Sequence, residues 1–260
     1  MATEKRLFLA TTTSTDNTGL LDYLESILLR DTGIHLLWVS VGTGKALELG
    51  RNCDVDVLLV HDPEAEETFI AQGYGINRRR VMYNDFVLIG PVEDPARVAG
   101  KPIEDALELL ASRGAAFASR GDNSGTHMKE LFLWRHAGLP VPEMQSWYIQ
   151  AGQGMLATIQ VAQERDAYTL TDRGTFIKYE DNWNGDPPLV ILVQGGDILV
   201  NQYSVITINP ERCETAQYEL AEQFSHWIVS PSVQSAIGEY RLREKGLFIP
   251  NAGSDENKQP

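Results

Sequence analysis

Long apolar runs are missing from this 260-residue sequence. A membrane-spanning helix needs roughly 18 to 20 consecutive apolar residues, whereas the run Leu189 to Val193 ends at once in Gln194 and Gly195. Positive charge is scarce: 22 Lys and Arg stand against 36 Asp and Glu, a formal net charge of -14. That balance argues against a nucleic-acid partner, which needs a basic surface. It also repels small anions at long range, so any anion site must work through local donors. Cysteine is limited to Cys53 and Cys213, which lack the C-x-x-C spacing of a metal or redox motif. They leave a disulfide and two inert core thiols as alternatives. His35, His61, His127, His136 and His226 include no two at metal-ligand spacing, so no bound metal ion is expected. The first residues, Met1-Ala2-Thr3-Glu4-Lys5-Arg6, hold no apolar leader segment. A cytoplasmic protein and the mature form of an exported one both fit that start.

What the sequence does have is an alternation of short apolar runs with helical patterns. Leu7 to Ala10 reads as a strand, Leu20, Leu21, Leu24, Ile27 and Leu28 recur at helical spacing, His35 to Val41 is a strand, a short helix starts near Lys45, and Val55 to Val60 is a strand. This β-α-β-α-β order is the signature of a parallel sheet with covering helices. A second α/β unit is read from a helix over 103–110, a strand over 115–119, a helix over 126–135 and a strand over 167–171. Two extended segments rich in β-branched and aromatic residues, Val81 to Gly90 and Leu199 to Ile208, bracket it as crossovers. Two closing helices, over 214–229 and 232–242, would return to the first unit. The fold class expected is α/β, two Rossmann-like lobes joined by two crossover strands: residues 1–90 with 201–260, and residues 91–200.

Three strand-to-helix loops are crowded with hydroxyls and glycine: Thr11-Thr12-Thr13-Ser14, Ser40-Val41-Gly42-Thr43-Gly44, and Ser119-Arg120-Gly121-Asp122-Asn123-Ser124-Gly125-Thr126. In an open α/β sheet this is the edge where ligands bind, and a helix start there offers unpaired N–H groups and a partial positive charge. Hydroxyls add donors, and glycine lets the backbone come close. Helix capping alone would explain one hydroxyl per loop; three adjacent threonines, and an arginine at a strand end, suit an anion better. Arg120 stands as the one cation at such a loop. Its guanidinium can hold two oxygens of an anion or form a salt bridge with Asp122. Enzyme motifs fail one by one. Gly42-Thr43-Gly44-Lys45 lacks the first glycine and the final Ser or Thr of a P-loop, the third glycine of G-x-G-x-x-G is Leu47, and there is no G-x-S-x-G elbow.

These segments, together with Asp56-Val57-Leu58-Leu59-Val60-His61 and Tyr83-Asn84-Asp85-Phe86-Val87-Leu88-Ile89-Gly90-Pro91, resemble the tungstate-binding components of Tup-type ABC transporters over roughly Leu7 to Pro250. The resemblance implies a type II periplasmic binding fold. It further implies tungstate, and molybdate beside it, held in a cleft between the lobes and delivered to an ABC transporter permease. Carried over by motif, Thr11, Thr12 and Ser14 would form a hydroxyl cradle in the first lobe with Ser40 and Thr43 beside it. Arg120, Ser124, Gly125 and Thr126 would close from the second, with Thr171 at a later strand end. The family is exported, which implies a mature, periplasmic protein. No catalytic residues, no cofactor and no metal beyond the tungsten of the oxyanion are expected, and a monomer is. The alternatives are a phosphate- or sulfate-type binding protein, in which Asp16, Asp122 or Asp172 would accept the proton phosphate retains, and an enzyme pairing Ser124 with His127.

Overall fold

The computed structural model describes residues 4–253. In chain order the elements are β1 (Lys5–Thr12), α1 (Thr13–Asp16), α2 (Leu20–Thr32), β2 (Ile34–Val41), α3 (Thr43–Arg51), β3 (Val57–Val60), α4 (Pro63–Ala71) and β4 (Gly75–Pro91). Then come α5 (Ile103–Arg113), β5 (Phe117–Ser119), α6 (Gly125–His136), β6 (Tyr148–Gln150), α7 (Met155–Glu164), β7 (Thr169–Asp172), α8 (Arg173–Asn182) and β8 (Leu189–Val193). The chain ends through β9 (Val200–Ile208), α9 (Tyr218–Ile228), α10 (Pro231–Glu239) and the short β10 (Arg241–Leu242), β11 (Lys245–Gly246) and β12 (Ile249–Pro250). Among the described residues no helix is long and apolar enough to cross a membrane.

The chain divides into two compact units, Met1–Asn84 with Asn201–Pro260, and Asp85–Val200. The first break falls at 84/85 rather than at 90/91. β4 is one continuous strand of 17 residues, and its last part already pairs with β7 and β8 of the second unit. Gly90 in that part is required by close approach: a Cβ there would collide with the Tyr168 ring. The Tyr168 hydroxyl in turn accepts from Ala96 N and donates to Asp94.

In the first unit β1 runs parallel to β2 and to β3, while β9 pairs antiparallel with β3. The four residues of β3 are all buried, as a central strand covered on both faces should be. Leu20, Leu21, Leu24 and Leu28 give α2 one buried face, and Gly33, at φ 72°, ends the helix in the left-handed conformation its C-cap needs. Phe69, Leu58, Val60, Ile206 and Ile208 share a core with Leu47 of α3, each side chain contributing roughly 1.5–3 kcal/mol by burial. Cys53 and Cys213 form a disulfide across 160 residues, which settles the alternatives left by the sequence. The bridge and the bond from Gln217 N to Asp56 Oδ1 (2.8 Å) tie down the segment before α9. The helix therefore begins at Tyr218, later than the expected 214.

In the second unit β5 pairs parallel with β6, and Phe117 bridges parallel to Tyr168 beside β7. Its core gathers Leu88, Ile103, Leu107, Leu110, Phe117, Trp134, Tyr148 and Tyr168. Parallel pairing puts the carboxyl ends of these strands, and the helix starts that follow them, on one edge.

Candidate functional site

The first unit brings two of the hydroxyl-rich loops together by register. Thr11 lies opposite Ser40 of β2 and Leu59 of β3, and Thr12 lies opposite Val41. The hydroxyls serve different partners. Thr11 Oγ1 donates to Leu59 O at 2.9 Å, so its proton serves the sheet. Thr12 Oγ1 and Thr15 Oγ1 share a hydrogen bond of 2.8 Å. The side chain of Ser14 lies outside the described residues. Ser40 Oγ donates to Asp16 Oδ2 at 2.8 Å, and Trp38 Nε1 donates to Asp16 Oδ1 at 2.7 Å. Thr43, the first residue of α3, has a buried hydroxyl with no hydrogen-bond partner among the described residues. A buried hydroxyl left unpaired costs about 1–3 kcal/mol, and one at a helix start stands where an anion would satisfy it.

In the second unit the chain leaves β5 at Ser119 and reaches α6 through Arg120 to Ser124. Gly121 takes φ 61° and Asn123 φ 57°, left-handed conformations that turn the loop sharply enough to place Ser124 as the helix cap. Ser124 Oγ accepts from His127 N at 3.4 Å, and Gly125 and Thr126 form the first turn. Arg120 Nη2 pairs with Asp122 Oδ2 at 2.5 Å, and the arginine side chain is 16% exposed. Its Nε is buried without a partner among the described residues. The salt bridge with Asp122 is therefore formed at one end of the fork, while the Nε–H has no partner among the described residues. Burial pushes the Asp122 carboxyl up, but bonds from the Ser124 side chain and backbone, and the Arg120 charge, outweigh it and hold the group below its usual range.

Arg120 is not the one cation at these strand ends. Arg173 heads α8 directly after β7, but its Nε and Nη2 bind both oxygens of Asp85 at 2.6 Å each, so its fork is engaged. Thr171 is buried, and its hydroxyl donates to Asp172 O at 3.2 Å. The Asp172 carboxylate caps α8, accepting from Thr175 N at 2.9 Å and Thr175 Oγ1 at 2.7 Å.

The geometry does not support a Ser124–His127 catalytic pair. Ser124 Oγ bonds the backbone of His127 rather than its ring, and His127 Nδ1 accepts from Asn123 N at 3.0 Å. That bond places the proton of the neutral imidazole on Nε2. Burial pushes its pKa below the usual value, so the ring is neutral at pH 7. Among the described residues no cluster of His, Cys, Asp and Glu could hold a metal ion.

Two parts of the site escaped sequence reasoning. One is the loop Ala151-Gly152-Gln153-Gly154, which joins β6 to α7 beside the Arg120 loop; Ala151 N donates to Ser119 O at 2.9 Å and Gly152 N to Arg120 O at 2.8 Å. Two glycines before a helix were the available signal. The other is Glu130 of α6, 4% exposed, which accepts from Tyr148 Oη at 2.7 Å and Trp134 Nε1 at 3.1 Å. Nothing in the sequence marks this carboxylate as buried, because α6 has no clear apolar stripe.

Residues 2–232 match the description of a PBP superfamily domain. The chain is 48% identical over 239 residues to the tungstate-binding protein TupA of Campylobacter jejuni, covering 92% of this chain and 88% of that one. The structure of the tungstate-binding protein TupA from Desulfovibrio alaskensis is similar at a TM-score of 0.91 and 55% identity, covering 95% of this chain and 99% of that chain. A structure described as the tungstate ABC transporter from Geobacter sulfurreducens is similar at a TM-score of 0.81 and 44% identity, covering 91% and 99%. With more than half of the chain matched and such identity over most of its length, this chain belongs to the PBP superfamily, in the family of the tungstate-binding proteins TupA.

Proposed function

We propose that this chain captures tungstate, and molybdate with it, as the fully ionised tetrahedral oxyanion, using oriented N–H and O–H donors, and delivers it to the permease of an ABC transporter. The observation that carries the reading is Arg120: a guanidinium fixed at Nη2 by Asp122 and buried at Nε with no partner among the described residues. Such an arrangement presents an oriented, charge-assisted donor. The backbone N–H groups of the first turn of α6 supply further, neutral donors in the same unit, and Thr43 Oγ1, buried without a partner among the described residues, is a candidate donor in the first unit. Ser40, Thr11 and Thr171 hold the loops through Asp16, Leu59 and Asp172.

The carboxylates favour the same reading over phosphate. Phosphate carries a proton at neutral pH and needs an acceptor in its site. Each oxygen of Asp16 already accepts a bond, from Trp38 or Ser40, each of Asp122 from Ser124 N or Arg120, and each of Asp172 from Thr175, which makes all of them weaker acceptors for a further proton. The relatives carry binding-protein names, and a monomeric periplasmic protein without a cofactor is the form that fits a transporter component. The disulfide suits an oxidising compartment. Calorimetric titration with tungstate, molybdate, sulfate and phosphate tests the proposal. Tungstate and molybdate should bind most tightly; phosphate binding at least as tightly as tungstate would overturn the reading and make one of the three aspartates a proton acceptor.

A further inference from the structure

Beneath the Arg120 loop lies an ionisable group that anion contact does not explain. Glu130 is four residues beyond Thr126 on α6, so both stand on one face about 6 Å apart along the axis. Helical side chains lean toward the N-terminus, which brings the Glu130 carboxyl back toward the anion-binding turn. Its Oε1 is fixed by Tyr148 Oη (2.7 Å) from β6 and by Trp134 Nε1 (3.1 Å). The wholly buried Ser119 hydroxyl stands close enough to favour the ionised form at least as much as those two bonds do, though without a hydrogen bond of good geometry. Ser119 immediately precedes Arg120, so the carboxyl touches the helix, the neighbouring strand and the strand end that together shape the loop.

Resting on the function proposed above, we propose that anion capture at this loop is coupled to proton uptake by Glu130, a positioning residue that supports the loop from inside the fold. A dianion arriving about one helical turn away disfavours a carboxylate in the same low-dielectric interior, and linkage then requires a protonated Glu130 to favour the anion. The groups around it do not remove the effect. Glu143, from the segment before β6, opposes ionisation, and burial, with the neighbouring carboxyl Glu130, keeps the Tyr148 hydroxyl protonated. Arg120 is paired with Asp122. His127, on the same helix, is neutral. β7, packed on α6, contributes Asp172, engaged by Thr175. Glu104 of α5 pairs with His136 at the far end of α6, and Lys129 lies over Phe86 and Phe132. Burial, only partly offset by the hydrogen bonds, pushes Glu130 up to about 7, so the proton is exchanged near neutrality.

The test is tungstate titration of the wild type and of Glu130→Gln between pH 6.5 and 8.5, above the His127 titration. A bound-state shift of about one pKa unit, within the usual range of coupling between sites, weakens wild-type affinity roughly fivefold across that window. Calorimetry near pH 7 in buffers of different ionisation enthalpy should show net proton uptake. E130Q, which keeps an acceptor for Tyr148 and Trp134, should bind with an affinity independent of pH and without proton uptake. A flat wild-type profile, or the same slope in E130Q, overturns the coupling while leaving tungstate capture intact. Proton uptake by the wild type decides the matter if E130Q does not fold. Absence of tungstate binding at every pH would overturn both this coupling and the function on which it rests.

Discussion

Replacing Arg120 by Gln tests the site at a guanidinium whose charge is matched by Asp122 and whose Nε–H is not. Wild-type Nη2 is held by Asp122 at 2.5 Å while Nε is buried without a partner among the described residues, so the substitution removes an oriented charged donor and one partner of Asp122. A hydrogen bond involving a charged group contributes about 1.5–3 kcal/mol, which corresponds to roughly ten- to 150-fold in affinity for tungstate. Asp122 keeps its bond from Ser124 N at 3.1 Å, and its side chain is 22% exposed, so the loop should survive. Arg120→Lys separates charge from shape. One ammonium keeps the charge but lacks the planar fork that serves Asp122 and the anion along fixed directions, so its affinity should fall between the wild type and R120Q. Calorimetric titration gives the affinities, and thermal unfolding of the ligand-free proteins checks the fold. Wild-type affinity in R120Q, with unfolding unchanged, would refute the assignment.

Thr43→Val keeps the shape of the side chain but deletes a hydroxyl that has no partner among the described residues; the ligand-free variant should be as stable as the wild type or slightly more so, while tungstate binding weakens about fivefold, measured by thermal unfolding and titration. Replacing Cys53 and Cys213 by Ala opens a bridge closing 160 residues and should destabilise the first unit by about 2–4 kcal/mol, seen as a lower denaturation midpoint for probes in that unit. Glu130 gives a pH-dependent stability of definite sign: its pKa is raised by burial from 4.5 to about 7, so the folded state holds the proton more tightly, and stability falls as pH rises from about 4.5 through 7. The loss approaches about 3 kcal/mol by pH 8, and chemical denaturation of E130Q across that range should lack this component.

How much of this was legible in the sequence depends on how local each signal is. The three loops stood out because hydroxyls and glycine are concentrated within a few residues, and strand and helix patterns on either side placed them at a sheet edge. Arg120 and Thr43 were visible for the same reason. The partners were not. Asp16 meets Trp38 and Ser40 from 22 and 24 residues away, and Arg173 meets Asp85 from 88. No local pattern predicts which aspartate a strand end will face. β6 is three residues long and owes its existence to pairing with β5, so the glycine loop after it was missed together with α7. α8 has charged and polar residues through its sequence and so gives no clear helical pattern of apolar residues. The break at 84/85 was obscured because β4 changes partners without interrupting its own extended backbone.

These pairings also explain how a chain of net charge -14 can bind an anion at all. The two arginines at the strand ends of the second unit are each matched by a carboxylate, Arg120 by Asp122 and Arg173 by Asp85. The loops therefore carry almost no net charge that could draw an anion from a distance. Attraction at contact comes instead from oriented N–H and O–H dipoles, the Arg120 Nε–H that Asp122 does not bind among them, which act within a few ångströms and are little affected by screening. A site built this way discriminates by donor geometry and by the protonation state of the ligand rather than by charge alone. An anion that carries a proton brings a donor into a ring of donors, whose aspartate oxygens are already engaged. Asp122, held ionised by its own donors, has a second effect: it fixes the guanidinium in the orientation that leaves Nε free. Its negative charge beside an anion site is the cost of that orientation, and a buried arginine without it would have no reason to point one way.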